Sequence, residues 1–128
     1  MSKANPDKSK YLQVANIVVC GFDLDITNTW NWGTAEEDAY RRDLTINSLF
    51  YNINEGKVED FTGRGIHDLQ SGIIDSPDPN LEACLKDPMV ILRAILFAAR
   101  LNFTIVPGLL EAARDPNVRT KIMDSLAV

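Results

Sequence analysis

The run MVILRAILFAARL, ending at Leu101 and preceded by Asp87-Pro88, constrains this chain more than any other feature. An aspartate can accept hydrogen bonds from the orphan N–H groups of a first helical turn, and proline suits the first helical position, where no N–H is needed. The thirteen residues after Pro88 carry only two charges, Arg93 and Arg100. A helix apolar around most of its circumference predicts heavy burial, so the rest of the chain must supply a core around it. Its 128 residues make one domain or part of a larger one.

The segments before that helix differ in character. Residues Met1 to Lys10 are polar and read as an exposed lead-in. YLQVANIVVCGFDLDITN alternates apolar and polar residues with many β-branched ones, and predicts one or two strands broken at Gly21. Thr34-x-x-Glu37 is a capping-box pattern, which starts a helix at Ala35. Ile46, Leu49, Phe50 and Ile53 continue at helical spacing into a strand. Asn54-Glu55-Gly56-Lys57 marks a hairpin turn, TGRGIHDLQSG a glycine-bounded short helix, and IID a strand. Beyond SPDPN the pattern is helical, with PGLLEAAR and DPNVRTKIMDSL forming a further pair. The division predicts an α/β front to Asp75 and a helical back.

Composition narrows the function. The hydrophobic share of 45% and charged share of 24% describe a globular chain. A net charge of −5 opposes a surface that grips nucleic acid everywhere, although a local basic patch fits. Cys20 and Cys84 lack metal spacing and are expected as buried thiols, and the single His67 cannot build a histidine-rich site. No apolar run approaches the ~18 residues of a membrane span, and an intracellular setting is expected, in cytoplasm, nucleus or mitochondrion.

Three constellations carry chemistry. Asp23 and Asp25, one residue apart on a strand, point to one face, where they either hold Mg²⁺ or meet water at a sheet edge. Arg41, Arg42 and Asp43 suit phosphates and ribose hydroxyls, or complete i,i+4 ion pairs from Glu37 and Asp38. DFTGRGIHDLQ reads as a backbone-close loop near a ligand or as a turn capping a helix; it matches neither common phosphate-binding glycine fingerprint.

In order along the chain, NPDKSKYLQVA, GTAEEDAYRRDLTINSLFYN, VEDFTGRGIHDLQSGII and DPMVILRAILFAARLNFTI resemble consecutive blocks of the CCA-adding tRNA nucleotidyltransferases of eukaryotic type, within the class II nucleotidyltransferase and poly(A) polymerase group. The resemblance implies an α+β fold: the later part of a nucleotidyltransferase head, a mixed sheet with helices over residues 1–75, followed by the start of an all-helical neck over 76–128. It implies addition of C, C and A to tRNA by attack of the 3′-hydroxyl on the α-phosphate of CTP or ATP, with Mg²⁺ as cofactor. Arg41, Arg42 and Asp43 would meet triphosphate and ribose, with Asn47, Asp87 and Arg93 completing the nucleotide site. Asp60, Gly63, Arg64 and Asp68 would form the motif joining head to neck, and His67 a surface position.

The departures are as informative. The family's metal carboxylates belong to an Asp-x-Asp upstream of this region, so the main ligands are expected outside this chain, leaving Asp25 as an auxiliary carboxylate. TNTWNWG is shorter than the family's connection. At the base-reading motif this chain has Lys86-Asp87-Pro88-Met89-Val90, with Val90 where the family has arginine, and Asp75 also replaces one. Val90, Arg93, Leu96 and Arg100 share an arc of roughly 120° at about 100° per residue; the family tends to place arginine at each, so the resemblance implies that half of a basic stripe is lost here. The expectation is a truncated portion, inactive alone, with tRNA and nucleoside triphosphates as family partners and no membrane. The alternatives are a non-catalytic nucleotide- or RNA-binding remnant, or one half of a split enzyme that pairs with a complementary N-terminal half or with itself.

Overall fold

The computed structural model describes residues 14–29 and 32–127; the lead-in Met1 to Lys10 lies outside them. The chain divides into two compact units, Met1–Asp38 and Ala39–Val128.

In the first unit, β1 (Val14–Val19) and β2 (Phe22–Thr27) form an antiparallel hairpin in which Val19 faces Phe22 and Val14 faces Thr27. The break expected at Gly21 is the turn itself. Cys20 and Gly21 have φ of 51° and 80°, the left-handed pair that matches the twist of two strands joined by two residues. Cross-strand partners share a face, so Ala15, Ile17, Val19, Phe22, Leu24 and Ile26 make one wholly apolar surface. Asp23 and Asp25 lie on the other, as their spacing predicts. Every residue of both strands is exposed. Cys20 is exposed too, contrary to the buried thiol expected, because a hairpin apex has nothing to pack against.

Helix α1 (Ala35–Arg41) begins as the capping box predicts: Thr34 Oγ1 accepts the Glu37 N–H at 3.1 Å. Its first turn holds Glu36, Glu37 and Asp38 and its last Arg41, the arrangement the helix dipole favours.

The second unit continues through a short 3₁₀ turn (Thr45–Asn47), the hairpin strands β3 (Phe50–Asn52) and β4 (Lys57–Glu59), and helix α2 (Gly65–Ser71). The helical spacing around Ile46 therefore gives one tight turn rather than a longer helix. The competing bonds are visible: Ser48 Oγ donates to the Leu44 carbonyl at 2.8 Å, and the Thr45 N–H goes to the Asp75 carbonyl at 2.9 Å. The β3–β4 turn falls where Asn54-Glu55-Gly56-Lys57 places it, and Asn52 Oδ1 accepts the N–H groups of Asn54 and Glu55.

Strand β5 (Ile73–Ile74) is followed by α3 (Asn80–Lys86), α4 (Met89–Leu101), β6 (Thr104–Ile105), α5 (Pro107–Arg114) and α6 (Pro116–Leu126). The helical back half thus contains a two-residue strand, β6, which pairs in parallel with β5. The first helix of that half, α3, was not singled out by pattern. Leu44, Ile74, Cys84, Val90, Ile91, Ala94, Leu109, Ala112 and Val118 form one core, so front and back halves of this unit share an interior.

Helix α4 corrects the expectation of heavy burial all round. Val90, Ile91 and Ala94 are buried, whereas Ile95 and Leu96 are 52% and 51% exposed. The apolar content marked a helix but could not say that only one side meets protein here. The helix starts at Met89 with Pro88 as its N-cap, one residue later than the pattern places it, and Asp87 Oδ1 still accepts the Met89 N–H at 3.1 Å.

Two consequences follow from packing. Gly65 is buried at the start of α2, and a β-carbon there would lie 2.7 Å from Leu49 Cδ2 and 2.9 Å from the Thr45 carbonyl oxygen. We expect Gly65→Ala to lower stability in urea unfolding by about 1–3 kcal/mol, the usual cost of overpacking; an unchanged midpoint would refute the close approach. Burial, and secondarily the charge of Asp87, raises the Cys84 thiol above its ordinary value. Alkylation at about pH 8 should label Cys20 rapidly and Cys84 only on unfolding. The sign of the shift also means that Cys84 costs stability as pH climbs past the ordinary thiol value, where the unfolded chain ionises first.

Candidate functional site

The site is built where α1 ends and α3 gives way to α4. Arg41, Arg42, Asp43, Asp78, Ala83, Lys86, Asp87 and Val90 line a cavity of about 70 Å³ within the second unit. The structure thereby gathers four of the expected nucleotide-site residues. Asn47 ends the 3₁₀ turn and does not line the cavity. Asp78 and Lys86 also line it; in the sequence Lys86 is only the first position of the base-reading segment, and Asp78 only part of the loop SPDPN.

Its charges are mutually committed. The Arg42 guanidinium lies over the Phe50 ring, 5.5 Å from the centroid, a favourable cation–π placement. Arg93 Nη1 donates to Asp43 Oδ2 at 3.0 Å and to Asp87 Oδ2 at 3.1 Å. Burial works against the charge on Arg93, but its bonds to Asp87 and Asp43 outweigh that and raise its pKa. Lys86 Nζ donates to Asp78 at 3.3 Å, which raises the lysine, with Glu82 adding to the effect. Val90 is 3% exposed and belongs to the core as well as to the cavity wall.

A second cluster surrounds the start of α2. Asp60 accepts the Gly65 N–H on Oδ1 and the Ile66 N–H on Oδ2, both at 3.0 Å, and so caps the helix from five residues upstream. Gly63 has φ 71° in the intervening turn. Arg64 Nη1 meets Asp75 Oδ2 at 2.8 Å, while its Nη2 donates to the carbonyls of Ser76 and Pro77 at 2.9 and 2.8 Å. Asp75 Oδ1 takes the Ser76 N–H and Asn80 Nδ2, both at 2.8 Å. Buried Asp68 accepts from Thr45 Oγ1 at 2.6 Å and faces His67 Nδ1 at 3.2 Å. The His67 side chain is 70% exposed.

This cluster gives Asp60, Gly63, Arg64 and Asp68 backbone- and helix-holding contacts. Asp75, named in the sequence only as standing in place of a family arginine, and Asn80, which the sequence shows only as the end of the loop SPDPN, complete it.

Asp25 stands on the polar face of the first hairpin, where its Oδ1 accepts from Asn16 Nδ2 at 2.9 Å. Among the described residues no three His, Cys, Asp or Glu side chains gather as a metal-holding group. Asp23 and Asp25 without a third donor do not fit a two-metal site, and no chemical step is assigned to a metal on them. No helix among the described residues is long and apolar enough to cross a membrane.

Known proteins share this arrangement of elements. The chain is 43% identical to the mitochondrial CCA tRNA nucleotidyltransferase of Saccharomyces cerevisiae over 127 residues, covering 89% of this chain and 23% of that protein. It is 42% identical to poly(A) polymerase I of Salmonella typhi over 96 residues, covering 73% of this chain and 19% of the relative. A solved tRNA nucleotidyltransferase, complexed with a primer tRNA and an incoming ATP analog, superposes with a TM-score of 0.72 at 25% identity, over 90% of this chain and 36% of that one. The chain thus spans about a quarter of the yeast relative's length. Residues 2–75 match the poly(A) polymerase head domain, and with that match over more than half its length the chain belongs to the poly(A) polymerase head-domain family.

Proposed function

We propose that this chain carries the nucleotide-facing portion of a CCA-adding tRNA nucleotidyltransferase. The observation that carries the reading is the single cavity joining Arg41, Arg42 and Asp43 to Asp87. Arginine forks bind triphosphate oxygens, and an aspartate accepts from ribose hydroxyls. A second aspartate can accept from the exocyclic amine that cytosine and adenine both carry. Val90 offers no donor to a base, so base selection in this pocket falls on Asp87.

In the full reaction a tRNA 3′-hydroxyl attacks the α-phosphate of CTP or ATP and pyrophosphate leaves. Mg²⁺ would neutralise the phosphates and activate the attacking oxygen, with its main ligands supplied from outside these residues. This chain's part is to hold the sugar and phosphates. Residues 1–75 are read as head and 76–128 as the start of the neck. Arg64, bonded to the Ser76 and Pro77 carbonyls, supports a joint at that boundary. One half of a split enzyme is the second reading, favoured by the uncovered apolar face of the β1–β2 hairpin. Sedimentation as a clean monomer at high concentration would count against self-association.

The purified 128-residue chain is expected to incorporate neither CTP nor ATP into tRNA; robust incorporation would overturn that. Calorimetric titration should show nucleotide binding that weakens about tenfold or more in Arg41→Ala and in Asp43→Ala, the scale of one lost charge-assisted hydrogen bond. Equal, negligible affinity in all three proteins would remove the nucleotide reading.

A further inference from the structure

Arg93 was expected among the groups that touch the nucleotide, yet its contacts give it a different task. It stands on α4, six residues after Asp87 and fifty after Asp43, and one of its nitrogens donates to both carboxylates. Two carboxylates that share one nitrogen repel each other unless a cation stays between them. Turning that nitrogen to a phosphate would take the cation from both acids, and the Asp43 side chain is only 20% exposed.

The remaining oxygens differ. Asp87 Oδ1 is occupied by the Met89 N–H. Asp43 Oδ1 makes no hydrogen bond among the described residues, while Oδ2 is held by Arg93. A guanidinium stays charged, so it holds one oxygen of Asp43 and leaves the other to receive a hydroxyl. The same nitrogen ties the segment after α1 to the turn before α4, the two segments that would read ribose and base.

We propose that Arg93 is a positioning residue for ribose recognition, orienting Asp43 against Asp87 rather than binding the nucleotide's phosphates. The inference rests on the nucleotide reading above and deepens it.

Calorimetric titration of the 128-residue chain with CTP and with 2′-deoxy-CTP tests it, using the wild type, Arg93→Ala, Arg93→Lys and Asp43→Asn. The wild type should favour CTP by about tenfold, the scale of one charge-assisted hydrogen bond. Arg93→Ala and Asp43→Asn should bring the ratio close to one, with most of the loss falling on CTP. Arg93→Lys, a point charge without the fork, should restore only part of the preference. If Arg93→Ala does not fold by circular dichroism, a reduced ratio in Arg93→Lys at an unchanged urea midpoint carries the same conclusion.

Parallel loss of both affinities at a constant ratio would show a structural ion pair only and overturn the proposal, as would an unchanged ratio. Uniform weakening of both nucleotides in Arg93→Ala, with affinity falling less steeply with salt than in the wild type, would assign Arg93 to phosphate, again against the proposal. A wild type that binds both nucleotides equally sinks the ribose role while leaving the phosphate reading standing. A wild type that binds neither removes both.

Discussion

The second unit depends on the two residues Ile74 and Asp75. Ile74 is fully buried and pairs with Ile105 across the parallel β5–β6 contact. The next residue turns polar at the point where the strand leaves the core. Its carbonyl takes the Thr45 N–H, and its carboxylate takes Arg64, the Ser76 N–H and Asn80. One aspartate therefore joins the 3₁₀ turn, the head of α2, the SPDPN loop and the start of α3. Such a carboxylate is costly to desolvate alone and stable when its oxygens are occupied, so its three contacts are interdependent.

The site follows from that joint. With α3 and the SPDPN loop fixed, Asp78 and Lys86 are carried to the cavity and Asp87 is left at the break before α4. The break is a cap in its own right, because Asp87 Oδ1 satisfies the Met89 N–H. Its other oxygen faces Arg93. A single side chain thus serves helix termination and the ion triad, which explains how a capping explanation and a ligand explanation of Asp87 could both fit the sequence. They concern different oxygens.

Legibility tracked how local the deciding interaction was. The capping box at Thr34, the turn at Asn54-Glu55-Gly56-Lys57 and the same-face placement of Asp23 and Asp25 were readable, since each is fixed within a few residues. The 3₁₀ turn was not, because the bond from the Thr45 N–H runs to Asp75. The pairing of β6 was equally hidden, since two residues of strand have no period and their partner lies some thirty positions upstream. In the site, Arg41, Arg42, Asp43 and Asp87 were named from motif. The membership of Lys86 and Asp78, and the bridging by Arg93, needed the fold to bring distant charges together.

The face of α4 that carries Arg93 and Arg100 is not a plain apolar one. Val90 turned inward and joined the core, whereas Leu96 remained half exposed. The two positions stand at opposite edges of one arc, about 120° apart and about one and two-thirds turns along the helix, and only Val90 is on the side covered by protein. Valine at 90 adds to the core and brings no charge to the cavity it lines, while Arg93, on the same helix, bonds both aspartates.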